Sequence, residues 1–178
     1  MKPELTAEYA RECLDYNPDT GIFTWKVRPR GHFRSEGKWK GCNTRFAGKE
    51  AGYLNETGYI SLRINKTLNQ AHRIAWLITT GSWPTRFIDH INMNRGDNRL
   101  ANLREVTNGE NMCNSGRCSR NTSGTKGISW HAGTGKWRAQ INVLKKHYHI
   151  GLFQSMDDAA KAIKEARIKL HGEFAHHG

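Results

Sequence analysis

The sequence has no long hydrophobic run and comparatively few acidic residues. No apolar stretch approaches the roughly 18 residues that a membrane-spanning helix requires, and the N-terminus has no apolar core of the signal-peptide type. These absences argue against a membrane protein and a secreted protein. We therefore expect a soluble protein of the cytoplasm.

Cysteine is also sparse. The four cysteines, Cys13, Cys42, Cys113 and Cys118, are scattered along the chain. Only Cys113 and Cys118 are close together, and no second pair completes a zinc ribbon. We interpret the cysteines as reduced thiols and expect no zinc.

Basic residues outnumber acidic ones by 28 to 16, which gives a net charge of +12. Residues 60–120 and residues 121–178 each hold nine basic and four acidic residues, so the excess lies mainly in these two segments. A positive charge of this size favours a polyanionic partner. Solubility alone needs less charge.

The most informative stretch runs from Ile88 to Asn111 and reads IDHINMNRGDNRLANLREVTNGEN. Thr107 and Glu110 have the spacing of a capping box, which predicts a short helix that carries Asn111. Before this helix, Leu103 to Val106 can form a strand, and Ile88-Asp89 can end another. The predicted order is therefore strand, loop, strand and helix.

The polar residues of this stretch suit phosphodiester chemistry. The oxygens of Asp89 and Asn111 are hard ligands of the kind that bind Mg²⁺. The imidazole of His90 titrates near neutral pH and can take a proton from water. A metal, a base and nearby arginines can together attack a phosphodiester. The alternative is a polar loop whose side chains cap turns.

The Asp89-His90 pair, followed by Asn102-Leu103-Arg104 and by Asn111, resembles an HNH nuclease motif of the ββα-metal type. The variant is that of phage and intron-encoded (homing-type) endonucleases, in which an Asn replaces the last His. Ala71 to Trp76 resembles the His-Arg segment that precedes this motif. The resemblance implies that His90 is the general base, that Asp89 and Asn111 bind one divalent metal, and that Asn102 braces the loop.

Other polar residues near the motif have two interpretations each. His72 either reaches toward the scissile phosphate or hydrogen-bonds the backbone and fixes a turn. Arg104 either steadies the phosphate, together with Arg95 or Arg99, or forms a structural salt bridge.

The N-terminal part of the chain has local signals for several elements. Thr6 is a candidate helix cap, and Gly81 is a candidate helix stop. The predicted elements are a helical stripe over 5–16, a turn over 17–21, a strand over 22–27, a hairpin of 51–54 with 59–64, and a helix over 72–80.

Residues 28–50 are basic, rich in glycine, and interleaved with Phe33, Trp39 and Phe46. A loop of this composition can follow a phosphate backbone while a ring stacks or inserts, which makes Arg34, Lys38 and Lys40 candidate DNA contacts. The alternative is a long surface loop whose aromatic residues pack back onto the core.

A second module begins after a Ser-, Asn- and Gly-rich linker at 113–125. Three strands are expected within 127–131, 135–143 and 146–153. Alternation in the second strand gives it one apolar face and one polar face. Ser155 with Asp158 then predicts the start of a helix whose apolar stripe includes Ala159 and Ile163, and Gly172 is its stop.

This module resembles the Apetala/ethylene-response-factor type of DNA-binding domain. The resemblance lies in Gly127-Ile128, Gly135-Lys136-Trp137, Ile150 to Phe153, the Ala-rich helix, and Leu170-His171-Gly172. In that family a three-stranded sheet lies in the major groove. By resemblance the base-reading residues are Ser129, His131, Arg138, Gln140, Asn142, His147 and His149. Several arginines and tryptophans of the family are replaced here, so the target sequence cannot be inherited.

Together these features predict an α+β protein: a ββα-metal nuclease core followed by a small three-stranded antiparallel sheet packed on one helix. The predicted domains are 1–112, with the motif at 72–112, and 126–178. We expect a DNA endonuclease that uses Mg²⁺ or another divalent ion such as Mn²⁺, encoded by a phage, and acting on double-stranded DNA as a monomer or homodimer. The alternative is a non-catalytic DNA-binding regulator, and an RNA substrate is a weaker third option.

Overall fold

The computed structural model describes residues 5–114, 121–143 and 146–171. The chain forms two compact units, Met1–Glu105 and Val106–Gly178. Residues 115–120 of the predicted linker at 113–125 lie outside the described residues.

The first unit begins with a helix, α1 (Ala7–Cys13), and a two-stranded hairpin, β1 (Leu14–Tyr16) and β2 (Phe23–Trp25). The Thr6 hydroxyl caps α1 by accepting a hydrogen bond from the Tyr9 N–H at 3.2 Å, as predicted. The helical stripe predicted to reach residue 16 is wrong beyond Cys13. Leu14 is extended and pairs with Trp25, so strand pairing overrides the local periodicity.

Residues 28–50 are not a continuous loop, which corrects the prediction for this segment. A 3₁₀ turn (Arg30–His32) precedes a helix, α2 (Glu36–Phe46). The Ser35 hydroxyl accepts from the Lys38 N–H and caps the helix start. The helix is attached through Trp39 Nε1 and Asn43 Nδ2, which both donate to the Arg28 carbonyl, at 2.8 and 3.0 Å. No residue of α2 is buried, so hydrophobic periodicity gives no signal for it.

A three-stranded antiparallel sheet follows, formed by β3 (Tyr53–Leu54), β4 (Ile60–Ile64) and β5 (Thr67–Gln70). The hairpin between β3 and β4 confirms the prediction. The third strand was not predicted. Its turn is Asn65-Lys66, both with positive φ (50° and 64°), a conformation that suits a two-residue hairpin loop.

The next helix, α3 (Ala71–Thr80), ends as predicted at Gly81, which is left-handed at φ 82° and donates its N–H to the Leu77 carbonyl. It leads to β6 (Phe87–His90), a 3₁₀ turn (Leu100–Asn102) and β7 (Leu103–Val106), and β6 pairs with β7. The core of the first unit joins these elements through Ala7, Ala10, Cys13, Leu14, Phe23, Ala51, Leu62, Ile64, Ala71, Ile74, Ala75, Leu77, Ile88 and Leu103.

The second unit contains a short helix, α4 (Asn108–Asn114), three antiparallel strands, β8 (Ile128–His131), β9 (Lys136–Val143) and β10 (Lys146–Phe153), and a helix, α5 (Met156–His171). The strand order is β10-β9-β8, and the sheet packs on α5 as predicted. Ser155 accepts from the Asp157 N–H at 3.1 Å at the start of α5. The buried apolar cluster of this unit consists of Ile128, Ala139, Ala159 and Ile163.

The fold is therefore α+β with small antiparallel sheets, which confirms the predicted class. Among the described residues, no helix has the length and apolar character needed to cross a membrane.

Candidate active site

Strand β6 carries the Asp-His pair of the motif. Asp89 and His90 end this strand and are 8% and 4% exposed. Pairing of β6 with β7 brings the start of the Leu103–Val106 strand alongside them. The pair is thus fixed by regular backbone structure at the point where the strand gives way to the loop.

Asp89 forms an ion pair with Arg104. Arg104 donates from both Nε and Nη2 to the Oδ2 atom of Asp89, each at 3.0 Å. The two side chains are only 9% and 17% exposed. The geometry places Arg104 on the carboxylate, in agreement with the salt-bridge interpretation of this residue.

His90 lies in a cluster of rings and amides. Its ring centroid is 5.1 Å from that of His72 and 5.9 Å from that of Tyr59. Its Nε2 atom is 3.5 Å from Oδ1 of Asn98, a long hydrogen bond. Burial lowers the pKa of the imidazole, while the Asn98 contact and the nearby Asp89 charge act in the opposite direction. The imidazole is therefore mostly neutral near pH 7.

Asn98 is a site residue that sequence reasoning missed. It is 2% exposed. Its Nδ2 donates to the Gly96 carbonyl at 3.2 Å, and its own carbonyl accepts from the Tyr16 hydroxyl at 2.7 Å. No sequence signal separates Asn98 from the other asparagines of the same loop, because the contacts that bury it come from the N-terminal hairpin.

Asn102 connects both ends of the loop that follows His90. Its Oδ1 accepts from the Asn92 N–H at 2.9 Å, and its Nδ2 donates to the Asp97 carbonyl at 2.8 Å. Its backbone carbonyl accepts from the Ile91 N–H at 2.9 Å. One buried side chain therefore holds the path of the loop.

Two arginines of the loop are also engaged. Arg99 contacts Asp97 at 2.6 Å, and this hydrogen-bonded pair holds the pKa of the Asp97 carboxyl well below its usual range. Arg95 lies 5.1 Å from the ring centroid of Tyr59 and donates to the Thr57 carbonyl at 3.0 Å. Both arginines thus stabilise the loop and its surroundings.

His72 projects from α3 toward this cluster and is 8% exposed. Its Nδ1 atom is buried without a hydrogen-bond partner among the residues that the structure describes. Burial, with smaller contributions from His90 and Arg73, lowers the pKa of His72 to about 3. His72 is therefore a neutral ring beside His90 at physiological pH.

Asn111 belongs to the second unit, where it lies on α4. Glu110 accepts from the Thr107 N–H at 2.6 Å and donates its own N–H to the Thr107 hydroxyl at 3.3 Å, which confirms the predicted capping box. Within 5–114, 121–143 and 146–171, no three His, Cys, Asp or Glu side chains form a cluster that could hold a metal.

Comparison with known proteins identifies this region. Residues 69–113 match the family described as HNH endonuclease. The chain is 35% identical over 107 residues to Protein 3.8 of Escherichia phage T7, an alignment that covers 58% of this chain and 86% of that protein. The chain belongs to the family of Protein 3.8 and carries an HNH endonuclease domain. No solved structure matches it significantly.

The HNH match spans α3, β6, the loop and β7, and therefore includes His72, Asp89, His90, Asn98 and Asn102. Tyr59, whose ring also faces His90, lies before the matched residues. The match extends to residue 113 and so also includes Asn111 on α4.

Outside the HNH domain, the strand register of the second unit places the predicted base-reading residues on one face of the sheet. Ser129 pairs with Arg138, Gln140 with His149, and Asn142 with His147. Cross-strand partners share a face, and alternate residues along a strand do so too. The residues on this face are Ser129, His131, Arg138, Gln140, Asn142, His147 and His149. The comparisons add no support for the Apetala-type resemblance, which stays a prediction.

The three basic residues proposed from segment 28–50 lie at or before α2. Arg34, Lys38 and Lys40 are all exposed. Lys40 forms an ion pair with Glu36 one turn earlier, at 2.7 Å. The three side chains are thus open to solvent, with the Lys40 charge paired to Glu36.

Proposed function

We propose that the protein is a metal-dependent DNA endonuclease that hydrolyses phosphodiester bonds, with His90 as general base. The observation that carries this proposal is the placement of Asp89 and His90 together at the end of β6, within the HNH match. The net charge of +12 supports a nucleic-acid substrate.

The donor chemistry fits a hard divalent cation. Asp89 would supply a carboxylate oxygen to such an ion, and Mg²⁺ typically takes one or two protein oxygens while keeping several waters. A cluster of three His, Cys, Asp or Glu side chains is therefore not required. The ion, Mg²⁺ or Mn²⁺, would stabilise negative charge that develops on the phosphate and the leaving oxygen.

His90 takes a proton from the attacking water. If Nε2 carries the imidazole proton and donates it to Asn98, then Nδ1 is the basic nitrogen of the neutral ring. The lowered pKa keeps the ring unprotonated near pH 7, which is the state a general base needs. The new bond joins the water oxygen to phosphorus, and the bond to the 3′ oxygen breaks.

In this proposal the residues around Asp89 and His90 hold these two side chains in place and take no part in the bond changes. Asn102 holds the loop on which Asn98 lies, and Asn98 orients the His90 ring. Arg104 holds the Asp89 carboxylate in place. His72 places a neutral, buried ring beside the base. Electrostatic interactions in such a buried environment are stronger than in water.

DNA binding is shared between the two units in this proposal. The polar face of the β8–β10 sheet carries donors and acceptors suited to base edges. The exposed residues Arg34, Lys38 and Lys40 supply charge for phosphate contacts. Selection of bound sites from random DNA, with the intact chain and with a 1–120 fragment, tests this division.

Supercoiled plasmid incubated with Mg²⁺ or with chelator tests the catalytic proposal. We expect relaxation only with metal, and its loss in His90→Ala by about 10²–10⁴-fold in rate. Binding of a labelled duplex in chelator should remain nearly unchanged in this variant. Equal loss of binding and nicking would argue against a role as base.

A non-catalytic DNA-binding protein is the second candidate. The observation that favours it is the Asp89–Arg104 ion pair, which holds the carboxylate with two donors. Plasmid that stays supercoiled with Mg²⁺ and with Mn²⁺, while the protein still binds DNA, would favour this candidate.

A further inference from the structure

A concave groove in the first unit lies outside the cluster around His90. Its volume is about 650 Å³. The residues that characterise it, and that we call the basic groove, are Tyr9, Trp25, Arg28, Phe46, Tyr53 and Arg63. They come from α1, β2, the segment before α2, α2 itself and the β3–β4 hairpin.

One side of the basic groove is a face of the three-stranded sheet. Tyr53 pairs with Ser61, and Arg63 lies two residues further along β4, so all three side chains share this face. Leu62 and Ile64 point the opposite way and are buried in the core. The sheet thus presents the Tyr53 ring and the Arg63 guanidinium to the groove, while Ser61 between them is buried.

Two aromatic rings of the groove are exposed although the first unit has a formed core. Phe46 is 38% exposed and Tyr53 is 53% exposed. Single exposed aromatic residues are common on proteins. Here, however, both rings line the same concavity, where a flat aromatic ligand can stack on them.

The groove also holds positive charge. The Arg28 guanidinium lies 4.9 Å from the Trp25 ring centroid and 5.1 Å from that of Phe33, and it donates to the Cys42 sulfur. Its Nε atom is buried and has no hydrogen-bond partner in the part of the chain that the structure describes. The contacts with Trp25, Phe33 and Cys42 hold the guanidinium in place at the groove, and a fixed cation favours an anionic ligand.

Arg63 and Lys66 add exposed charge at the same groove, against one acidic lining residue, Glu50. Lys66 lies in the two-residue turn after β4, and the Tyr9 hydroxyl donates to Asn65 Oδ1 in that turn at 2.6 Å. The turn is therefore attached to α1, and the groove is held on two sides.

Aromatic rings combined with basic side chains are the chemistry that binds unpaired nucleotides, since every base has a face to stack and every nucleotide a phosphate. A paired base is enclosed by its partner and its neighbours, so only an extruded or unpaired base can enter a cavity. We propose that the basic groove binds an unpaired nucleotide of the DNA, with the base on Phe46 and Tyr53 and the phosphate at Arg28 and Arg63. This deepens, and rests on, the proposed action on DNA.

The direct test is binding of the full chain in chelator, where no cleavage occurs. The probes are two labelled duplexes of the same sequence, one fully paired and one with a central bulge of three unpaired thymidines. We expect the bulged duplex to bind about tenfold more tightly. A tenfold change in affinity corresponds to about 1.4 kcal/mol, which lies within the range that stacking of one base on an aromatic side chain contributes. Phe46→Ala with Tyr53→Ala should abolish the preference.

Two further variants sharpen the test. Arg63→Gln should weaken binding of the bulged duplex and reduce its salt dependence. Ile22→Ala is the matched control, since Ile22 is 45% exposed in the same unit and does not line the groove. Equal affinity of wild type for both duplexes, or a preference kept in the double variant, would overturn the proposal.

Alkylation of Cys42 gives an independent readout, because this half-exposed thiol lines the groove while Cys13 is buried. At equal saturation, bulged DNA should slow alkylation of Cys42 more than paired DNA does, as measured by peptide mass spectrometry. Equal protection by both duplexes would contradict occupancy of the groove by an unpaired base.

The endonuclease proposal and the basic-groove proposal can be overturned independently of each other. A chain that prefers the bulge in chelator but never relaxes plasmid with Mg²⁺ supports the groove and overturns the endonuclease. A chain that relaxes plasmid with Mg²⁺ but binds both duplexes equally supports the endonuclease and overturns the groove.

Discussion

Asn98 places its Oδ1 atom 3.5 Å from Nε2 of His90, while its own backbone carbonyl accepts a hydrogen bond from Tyr16 on the N-terminal hairpin. The amide that faces the proposed base is therefore held by a contact with a residue 82 positions away. The surroundings of the imidazole therefore include the N-terminal hairpin as well as the motif.

The first prediction concerns Asn98. In Asn98→Ala, His90 loses the acceptor that orients its ring and selects its tautomer, so we expect plasmid nicking to fall about 10- to 100-fold, the usual effect of removing an orienting partner. The loss should lie in kcat, with duplex affinity in chelator nearly unchanged. The matched control is Asn94→Ala in the same loop, whose side chain contacts the Gly96 N–H. Equal effects of the two substitutions would contradict the orienting role.

The second prediction concerns the protonation of His72. Because burial lowers its pKa to about 3, its ring signal in an NMR titration should not shift between pH 8 and pH 4.5. A His72 signal that titrates near pH 6.5 would show that the ring is hydrated and that the environment described for it is wrong.

The same shift makes stability depend on pH. The folded-state pKa lies below the unfolded value, so the unfolded chain binds the proton first, and stability falls as pH drops below 6.5 toward 3. Between pH 7 and pH 5 this group alone should cost about 2 kcal/mol. Urea unfolding of the first unit should show this loss in wild type and a shallower one in His72→Gln. Parallel pH profiles would contradict the assignment.

The third prediction concerns the ion pair of Asp89 and Arg104. Arg104→Met leaves a largely buried carboxylate without its partner, which typically costs about 3–5 kcal/mol. Arg104→Lys keeps the charge but not the two-donor geometry, so its loss should be smaller. Lys40→Met is the control, because both side chains of the Lys40–Glu36 pair are about two-thirds exposed and exposed pairs contribute little. Similar denaturation midpoints for Arg104→Met and Lys40→Met would show that burial does not decide the effect.

Local signals in the sequence predicted those elements whose ends are fixed by nearby residues. Thr6, Gly81 and the Thr107–Glu110 pair act on backbone groups within a turn, so their roles can be read from spacing. The alternation of β9 likewise predicted which side chains share a face, because the period of a strand is a local property.

Elements fixed by distant partners were predicted poorly. The end of α1 depends on pairing of Tyr16 with Phe23, which competes with a helical pattern that is intact in the sequence. Helix α2 buries no residue and is attached to the Arg28 backbone by Trp39 and Asn43, so it has no apolar stripe to detect. In both cases the deciding contact is tertiary.

The residues of the proposed site also fall into two groups: those that a sequence pattern identifies and those that only a tertiary contact identifies. Asp89, His90 and Asn102 stand out because a known motif contains them, and their roles stay predictions until variants are assayed. Asn98 has no such signal, since its importance arises from the Tyr16 contact and from the approach of the loop to the N-terminal turn.

Gly21 is where the N-terminal turn meets the loop that follows His90. It has φ +74°, and a Cβ atom added to it would lie 2.5 Å from the Arg99 backbone nitrogen and 2.6 Å from the Asn98 carbonyl carbon. Because both the conformation and the space exclude a side chain, Gly21→Ala must either strain the turn or push the loop away. We expect a loss of about 2 kcal/mol or more in stability and slower nicking, because Asn98 moves with the loop.

Gly37→Ala and Gly41→Ala are the matched controls for this substitution. Both glycines lie in α2, and an added Cβ meets nothing within 4 Å. Alanine is favoured over glycine inside a helix by about 1 kcal/mol, so these variants should be slightly more stable than wild type, with nicking unchanged. If Gly21→Ala matched them in stability and nicking, the loop would be insensitive to the N-terminal turn, and the packing of the first unit would not set the position of Asn98.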